Sequence, residues 1–269
     1  MYLGIDIGGS KVLIAKLNNA GVIVSKTKFK TPEKYQDFLN LIEESDYKNE
    51  DYLAAGIGAP GEINRFDGSV REFGNLSWKN VKLSEDIEKI FNCPVVIEND
   101  AKMAALSEAM MVKNLFKRVL YLTVSTGIGY AFINECQIDT LSGDAGGKNL
   151  LIPKGDDYIT WEDYISGRAI VKRFGKMAKD IEDQQTWKKI AKDLSKGLIE
   201  LIAIFEPEVV IFGGSVGNYF ERYKEFLEEA VKAYQIPMVK LPVLKKAERP
   251  EDAVIYGCYD LAKATFKAI

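Results

Sequence analysis

The sequence predicts an α/β protein built from two related halves. Matching glycine turns open them, Asp6-Ile7-Gly8-Gly9-Ser10-Lys11 and Ser125-Thr126-Gly127-Ile128-Gly129, each between two apolar strand-like runs. Behind each opening, strand-like runs alternate with runs of helical period, the pattern of an α/β layer architecture. The 269 residues, 47% hydrophobic and 28% charged, suffice for one large or two modest soluble cores.

In the first half, Tyr2 to Ile7, Lys11 to Leu17 and Val22 to Lys28 read as strands, separated by Gly8-Gly9 and by Asn18 to Gly21. Thr31-Pro32 opens an amphipathic helix to about Glu44, and Tyr52 to Gly58 is a strand closed by the Ala59-Pro60-Gly61 turn. Ser84 starts a helix with Leu83, Ile87 and Ile90 on one face. Val95 to Ile97 is an apolar strand ending in Glu98-Asn99-Asp100, and the good helix formers of Ala101 to Met111 follow at once.

The second half repeats the plan. Arg118 to Val124, Gly129 to Ile133 and Gln137 to Asp139 are strands, and Trp161 to Met177, Gln184 to Phe205 and Phe220 to Tyr234 are helices. Val209 to Phe212 is an apolar strand running into Gly213-Gly214-Ser215; Val239 to Leu244 is a last strand and Asp252 to Lys267 a last helix. No flexible linker parts the halves, so the boundary near residues 112–116 reads as a hinge inside one protein.

Composition excludes several classes of chemistry. A net charge of -3 gives no general basic field for nucleic acid or an anionic membrane, and Lys188-Lys189 and Lys245-Lys246 read as solvated faces. Cys93, Cys136 and Cys258 are too far apart for a zinc motif or a disulfide framework. No apolar run is long enough to cross a membrane, and a strand begins at the first residues. The expectation is a soluble cytoplasmic protein with no signal peptide and no DNA-binding module. With no histidine in the chain, a general base must be a carboxylate, or failing that a Lys, Tyr or Cys.

The chemistry concentrates in the turns. Glycine after a strand lets backbone N–H groups approach phosphate oxygens, which suits Gly8, Gly9 and Ser10 with Lys11, Thr126, Gly127 and Gly129, and Gly213 with Gly214. Each alone also reads as an ordinary turn. Asp6 is placed to hold Mg²⁺, directly or through water. Asp100, delivered by a strand end, suits a general base; the plain structural use is an N-cap for the following helix, and the two roles are compatible. One acid between two phosphate turns suggests phosphoryl transfer to a hydroxyl. Neither the Rossmann nor the P-loop spacing occurs.

Taken together, Asp6 to Lys11, Gly58-Ala59-Pro60-Gly61, Asn75-Leu76-Ser77-Trp78, Glu98-Asn99-Asp100-Ala101, Ser125 to Gly129, Ser166-Gly167 and Gly213-Gly214-Ser215-Val216 span nearly the whole chain. In order and spacing they resemble the ROK sugar kinases of the actin/hexokinase-like ATPase superfamily. The resemblance implies two RNase H-like domains flanking a central cleft, with ATP and Mg²⁺ deep in it and the sugar beside them. It implies a sugar and phosphate domain at 1–114 plus a returning helix at 253–269, and a nucleotide domain at 115–252. Asp100 corresponds to the base, Asn99 to a ligand of neighbouring hydroxyls, and Gly61, Asn75 and Glu162 to positions lining the sugar pocket. A homodimer is common among similar proteins.

The chain departs from that family pattern in one stretch. Many members carry Glu-x-Gly-His before a zinc-binding cysteine cluster; here Ala145 and Lys148 fall at the Glu and His positions, and Pro153 to Glu162 occupies the cluster's place. No zinc is expected. Asp144 is a one-residue shift from the lost Glu, and Lys148 faces either an anionic sugar or solvent. The leading expectation is ATP-dependent phosphorylation of a hexose or hexose derivative. A non-catalytic sugar or nucleotide sensor and a kinase with another phosphoryl donor, such as polyphosphate, stay open.

Overall fold

Two five-stranded sheets with the same strand plan grow from the two glycine-opened segments. The first segment forms β1 (Tyr2–Ile7), β2 (Lys11–Leu17), β3 (Ile23–Lys30), α1 (Tyr35–Glu43), β4 (Ala54–Ala59), β5 (Glu62–Asn64), β6 (Ser69–Glu72), β7 (Lys79–Val81), α2 (Leu83–Phe91), β8 (Val95–Asn99) and α3 (Asp100–Val112). The second forms β9 (Arg118–Val124), β10 (Ile128–Asn134), β11 (Gln137–Ile138), β12 (Leu151–Lys154), β13 (Asp157–Thr160), α4 (Trp161–Ile165), α5 (Gly167–Phe174), α6 (Gln184–Phe205), β14 (Val209–Gly213), α7 (Gly214–Gly217), α8 (Lys224–Ala233) and β15 (Val243–Lys246). The last helix is α9 (Ala253–Thr265). The computed structural model describes residues 1–74, 76–234, 238–249 and 251–266.

The first sheet runs β3-β2-β1-β4-β8 and the second β11-β10-β9-β14-β15. In each, three antiparallel strands are followed by two parallel ones, β1–β4–β8 and β9–β14–β15. In open α/β sheets, ligands gather beyond the carboxyl ends of parallel strands. The loops following β1 and β9 are the two glycine turns.

The chain divides into two units, Met1–Ser107 with Glu251–Ile269 and Glu108–Pro250. The division falls inside α3, ahead of residue 114, and a hydrogen-bonding reason is visible. Glu108 is buried and accepts the backbone N–H groups of Glu248 (2.9 Å) and Arg249 (2.7 Å), which ties it to the second unit. Each unit has its own core, around Leu3, Ile5, Ile57 and Trp78 in the first and around Leu122, Trp161, Trp187 and Phe212 in the second.

Several elements differ from the sequence expectation. The helix expected from Trp161 to Met177 is two helices, because Ser166 turns extended (φ -62°, ψ 168°) and its hydroxyl caps the second by accepting Ala169 N–H. The helix expected from Thr31-Pro32 begins at Tyr35, and the one expected from Phe220 begins at Lys224 after a single 3₁₀ turn. The final strand lies at Val243–Lys246, further along than Val239 to Leu244. The small β5–β6–β7 sheet and the β12–β13 hairpin were not legible, since three- and four-residue strands carry too few alternations.

Glycine decides where the helices sit. In the first unit, α9 lies across β4: a Cβ on Gly56 would overlap the Cys258 carbonyl, and one on Gly257 would overlap the Met103 carbonyl of α3. In the second unit, Gly197 in the middle of α6 faces the indole of fully buried Trp161, the first residue of α4. Replacing a helix-interior glycine by alanine ordinarily stabilises by about 0.5–1 kcal/mol. Here a methyl group would overlap the indole, and overpacking costs roughly 1–3 kcal/mol. Gly197→Ala is therefore expected to lower the urea midpoint; a raised midpoint would show that Trp161 has room to move.

Candidate active site

In the first unit, the carboxyl ends of β1, β4 and β8 bring together residues far apart in sequence. Asp6 pairs in register with Gly58, Gly58 with Glu98, and Ala59 with Asn99. Asp100 follows as the first residue of α3. A Cβ on Gly58 would overlap the Val254 side chain of α9, with the Asp100 Cα in ordinary contact at 3.6 Å.

The strand end divides its work between two neighbours. Asn99 Oδ1 accepts the N–H groups of Ala101 (3.0 Å) and Lys102 (3.4 Å), and so caps α3. Asp100 Oδ1 also accepts Ala101 N–H, at 2.8 Å. The cap expected of Asp100 is thus carried mainly by Asn99, one residue earlier. Asn99 is buried while Asp100 is half-buried. The Asn99 carboxamide is held by its oxygen, which leaves its amide group to donate.

Asp6 is half-buried. Its pKa is pushed up to about 7, first by burial and then by the charge of Asp100, against a smaller lowering by Lys28. Two carboxylates that repel each other in a partly dry site favour a divalent cation. Mg²⁺ takes one or two carboxylates together with phosphate oxygens and waters, so Asp6, with Asp100 nearby, fits that ion. Among the described residues no three or more His, Cys, Asp or Glu side chains gather as an all-protein metal site.

The turn after β1 is closed by its own backbone. Gly8 N–H donates to Lys11 O at 2.9 Å, so this amide shapes the turn, while Gly9, Ser10 and Lys11 are exposed. Buried Thr31 pins it from behind: its hydroxyl donates to Gly8 O (2.7 Å) and its N–H to Ser10 O (3.1 Å). Sequence reading used Thr31 only to open a helix. Gly61 sits where β4 passes into the small sheet, at φ +111° with its Cα against the Glu72 carbonyl, a conformation that excludes a side chain. Asn75 lies outside the described residues.

The second unit gathers its own motif residues. Ser125 N–H donates to Gly127 O (2.9 Å), and Gly167 N–H, at the start of α5, donates to Ser125 O (2.7 Å). Thr126 is exposed, and Gly127 and Gly129 are half-buried. Gly214, at φ +80°, packs on the Val124 carbonyl and the Thr123 hydroxyl, so the turn after β14 lies against the end of β9. A side chain on Gly213 would overlap the Tyr121 hydroxyl.

Glu162 lies beneath the Ser125–Gly129 turn. It is buried, its Oε2 accepts Ile128 N–H at 3.0 Å, and a side chain on Gly127 would meet the same oxygen. Its other oxygen faces Arg168 (3.5 Å) and Lys148 (3.9 Å), two exposed cations. Arg168 was missed because its place depends on the break at Ser166, which puts it in the first turn of a new helix. Ala145 is exposed and Asp144 half-buried.

A family model described as the ROK family matches residues 2–265. The chain is 26% identical to a glucokinase of Streptomyces coelicolor, over 98% of both chains. It is 27% identical to a xylose repressor of Caldicellulosiruptor bescii, over 95% of this chain and 76% of that protein. Among solved structures, a ROK family glucokinase from Streptomyces griseus in complex with glucose and AMPPNP superposes with a TM-score of 0.80, at 24% identity, over 98% of this chain and 99% of that one.

The Asp6 shift has a signed consequence. The folded chain holds this proton more tightly than the unfolded chain, whose carboxyl has the ordinary value of 3.8. The contribution of protonated Asp6 is complete below about pH 4 and is lost as pH rises through about 7. Asp6→Asn is therefore expected to gain stability over the parent between about pH 4 and pH 8. At about 1.4 kcal/mol per pKa unit, the gain is at most about 4 kcal/mol. Urea unfolding in Mg²⁺-free buffer across that range checks it; a constant difference between the two proteins would mean that Asp6 ionises normally.

Proposed function

The chain belongs to the ROK family, and on that premise we propose that it is a sugar kinase, transferring the γ-phosphoryl group of ATP to a hydroxyl of a hexose or hexose derivative. The observation that carries this reading is the β8 strand end, where Asn99 shares the helix cap with Asp100 and the Asp100 carboxylate stands at the carboxyl edge of the sheet, within reach of the charge of Asp6. The glucokinase relative supports sugar phosphorylation, and the glucokinase solved with AMPPNP supports ATP as donor.

Asp100 accepts the proton of the attacking hydroxyl as its oxygen forms a bond to the γ-phosphorus, and the bond to the bridging oxygen of ADP breaks. Phosphoryl transfer asks for positioning and charge neutralisation more than covalent chemistry by the protein. The amide of Asn99 would donate to a neighbouring hydroxyl and fix the acceptor's orientation. Gly61 and Asn75 of the first unit and Glu162 of the second are assigned to the sugar. Gly8, Gly9, Ser10 and Lys11 of the first unit, and Thr126, Gly127, Gly129, Gly213 and Gly214 of the second, are assigned to the nucleotide. Mg²⁺ held at Asp6 would neutralise phosphate charge.

A sensor that keeps the fold without the chemistry is the second reading. It is favoured by the pairing of Glu162 with two cations, which departs from a site built to hold neutral hydroxyls, and by the likeness to a repressor. Coupled ADP release separates the two readings, measured with Mg-ATP against neutral, amino, N-acetylated and acidic sugars. Sugar-dependent release is expected. Asp100→Asn is expected to lower turnover about 10²–10⁴-fold, the usual contribution of a general base, with nucleotide binding intact. Release that survives the substitution would remove Asp100 from the chemistry, and no release with any sugar despite ATP binding would favour the sensor.

A further inference from the structure

Glu98 is an expensive residue to place where it lies. Its side chain is 5% exposed, on the strand that presents Asp100, and the Arg65 side chain that pairs with it is 30% exposed. The guanidinium grips both carboxylate oxygens, Nε to Oε2 at 2.8 Å and Nη2 to Oε1 at 2.5 Å. A two-point fork fixes direction as well as distance.

The fork continues into the backbone of the acid-bearing strand end. Oε1 of Glu98 also accepts the N–H of Asn99, at 2.6 Å. Asn99 in turn holds Ala101 and Lys102 through its side chain. An unbroken series of hydrogen bonds therefore leads from Arg65 through Glu98 and Asn99 to the first turn of α3, and Asp100 lies between its last two links.

Arg65 is offered by a stiff support. It stands in the β5–β6 turn, where Asn64 Oδ1 accepts Phe66 N–H (3.0 Å), Asp67 Oδ1 accepts Ser69 N–H (2.9 Å), and Gly68 N–H returns to Asn64 O (2.8 Å). Gly68 O also accepts the N–H of Ser84 in α2 (3.1 Å). The same small sheet begins one residue after Gly61. Buried ion pairs can often be replaced by neutral side chains without loss of stability, so stability alone gives little reason for this one.

We infer that Arg65 is a positioning residue for proton transfer: through its fork on Glu98 it sets the orientation of the strand end that carries Asp100. This rests on the kinase reading above. Lysine keeps the charge but cannot form the fork, so geometry and charge can be separated.

The test uses the full chain, with Arg65→Lys, Arg65→Gln and the double variant Arg65→Gln/Glu98→Gln, which leaves no unpaired buried charge. Coupled ADP release is measured with the sugar that the wild-type protein accepts, alongside urea midpoints and amide exchange over residues 95–105. The double variant is expected to keep its midpoint and its KM for ATP, to lose at least tenfold in kcat, and to exchange faster at Asn99 and Ala101. Arg65→Lys is expected to lose kcat as well, and Arg65→Gln to add nothing to the loss caused by Asp100→Asn. A folded double variant with wild-type kcat overturns the positioning role and leaves the kinase intact. So does a loss that multiplies fully with that of Asp100→Asn. A wild-type protein that releases no ADP with any sugar overturns the kinase reading and the positioning role with it.

Discussion

The backbone of α9 lies directly on β4, and nothing larger than hydrogen fits at the contact. β4 is the sequence Ala54-Ala55-Gly56-Ile57-Gly58-Ala59, buried at every position, with β1 on one side and β8 on the other. Its small residues let α9 come close enough for Cys258 Sγ to reach Ile5 O at 3.7 Å. Burial, with Asp6 nearby, pushes the Cys258 thiol well above the usual range, so it stays protonated in this packing. The neighbours of β4 are β1, which carries Asp6 next to its end, and β8, which Asp100 follows directly. The position of both acids is thus inherited from one strand that bears no functional side chain.

The electrostatics of the first unit follow from this placement. A sheet edge that brings Asp6 within reach of the charge of Asp100 does so at the cost of a raised Asp6 pKa. Glu98, deeper in the same strand, escapes the penalty of an unpaired buried charge because Arg65 reaches it from another element. Three carboxylates in one small region thereby receive three environments: one ion-paired and buried, one repelled and inclined to hold a proton, and one at the start of a helix. Groups driven apart in this way are a common mark of sites that move protons or bind cations.

Much of the fold was legible because its long elements are strongly periodic. α6 was read at its observed bounds, Gln184–Phe205, and β1, β2 and β9 at theirs. The glycine turns were legible because glycine follows an apolar strand in each. What failed depended on short range or on tertiary contact. Ser166 breaks a helical pattern by capping the next helix, and Asn99 takes most of the cap that the sequence pattern pointed to at Asp100. The pairing of Arg65 with Glu98, and the second role of Thr31, join residues that no local pattern relates. The site's motifs could be read as a string; the bonds that hold them in place required coordinates.

The first unit is discontinuous, since Glu251–Ile269 completes a body begun at Met1–Ser107, and this has a consequence for biosynthesis. During translation β4 emerges well before its covering helix α9. At roughly 5–20 residues per second, the interval between them is on the order of 10–40 s. Through that time Gly56 and Gly58 offer bare backbone and apolar surface to solvent or to a chaperone. The second unit, contiguous from Glu108 to Pro250, is complete before α9 emerges. A chain interrupted before Glu251 would therefore carry the first sheet without its covering helix, attached to a complete second unit.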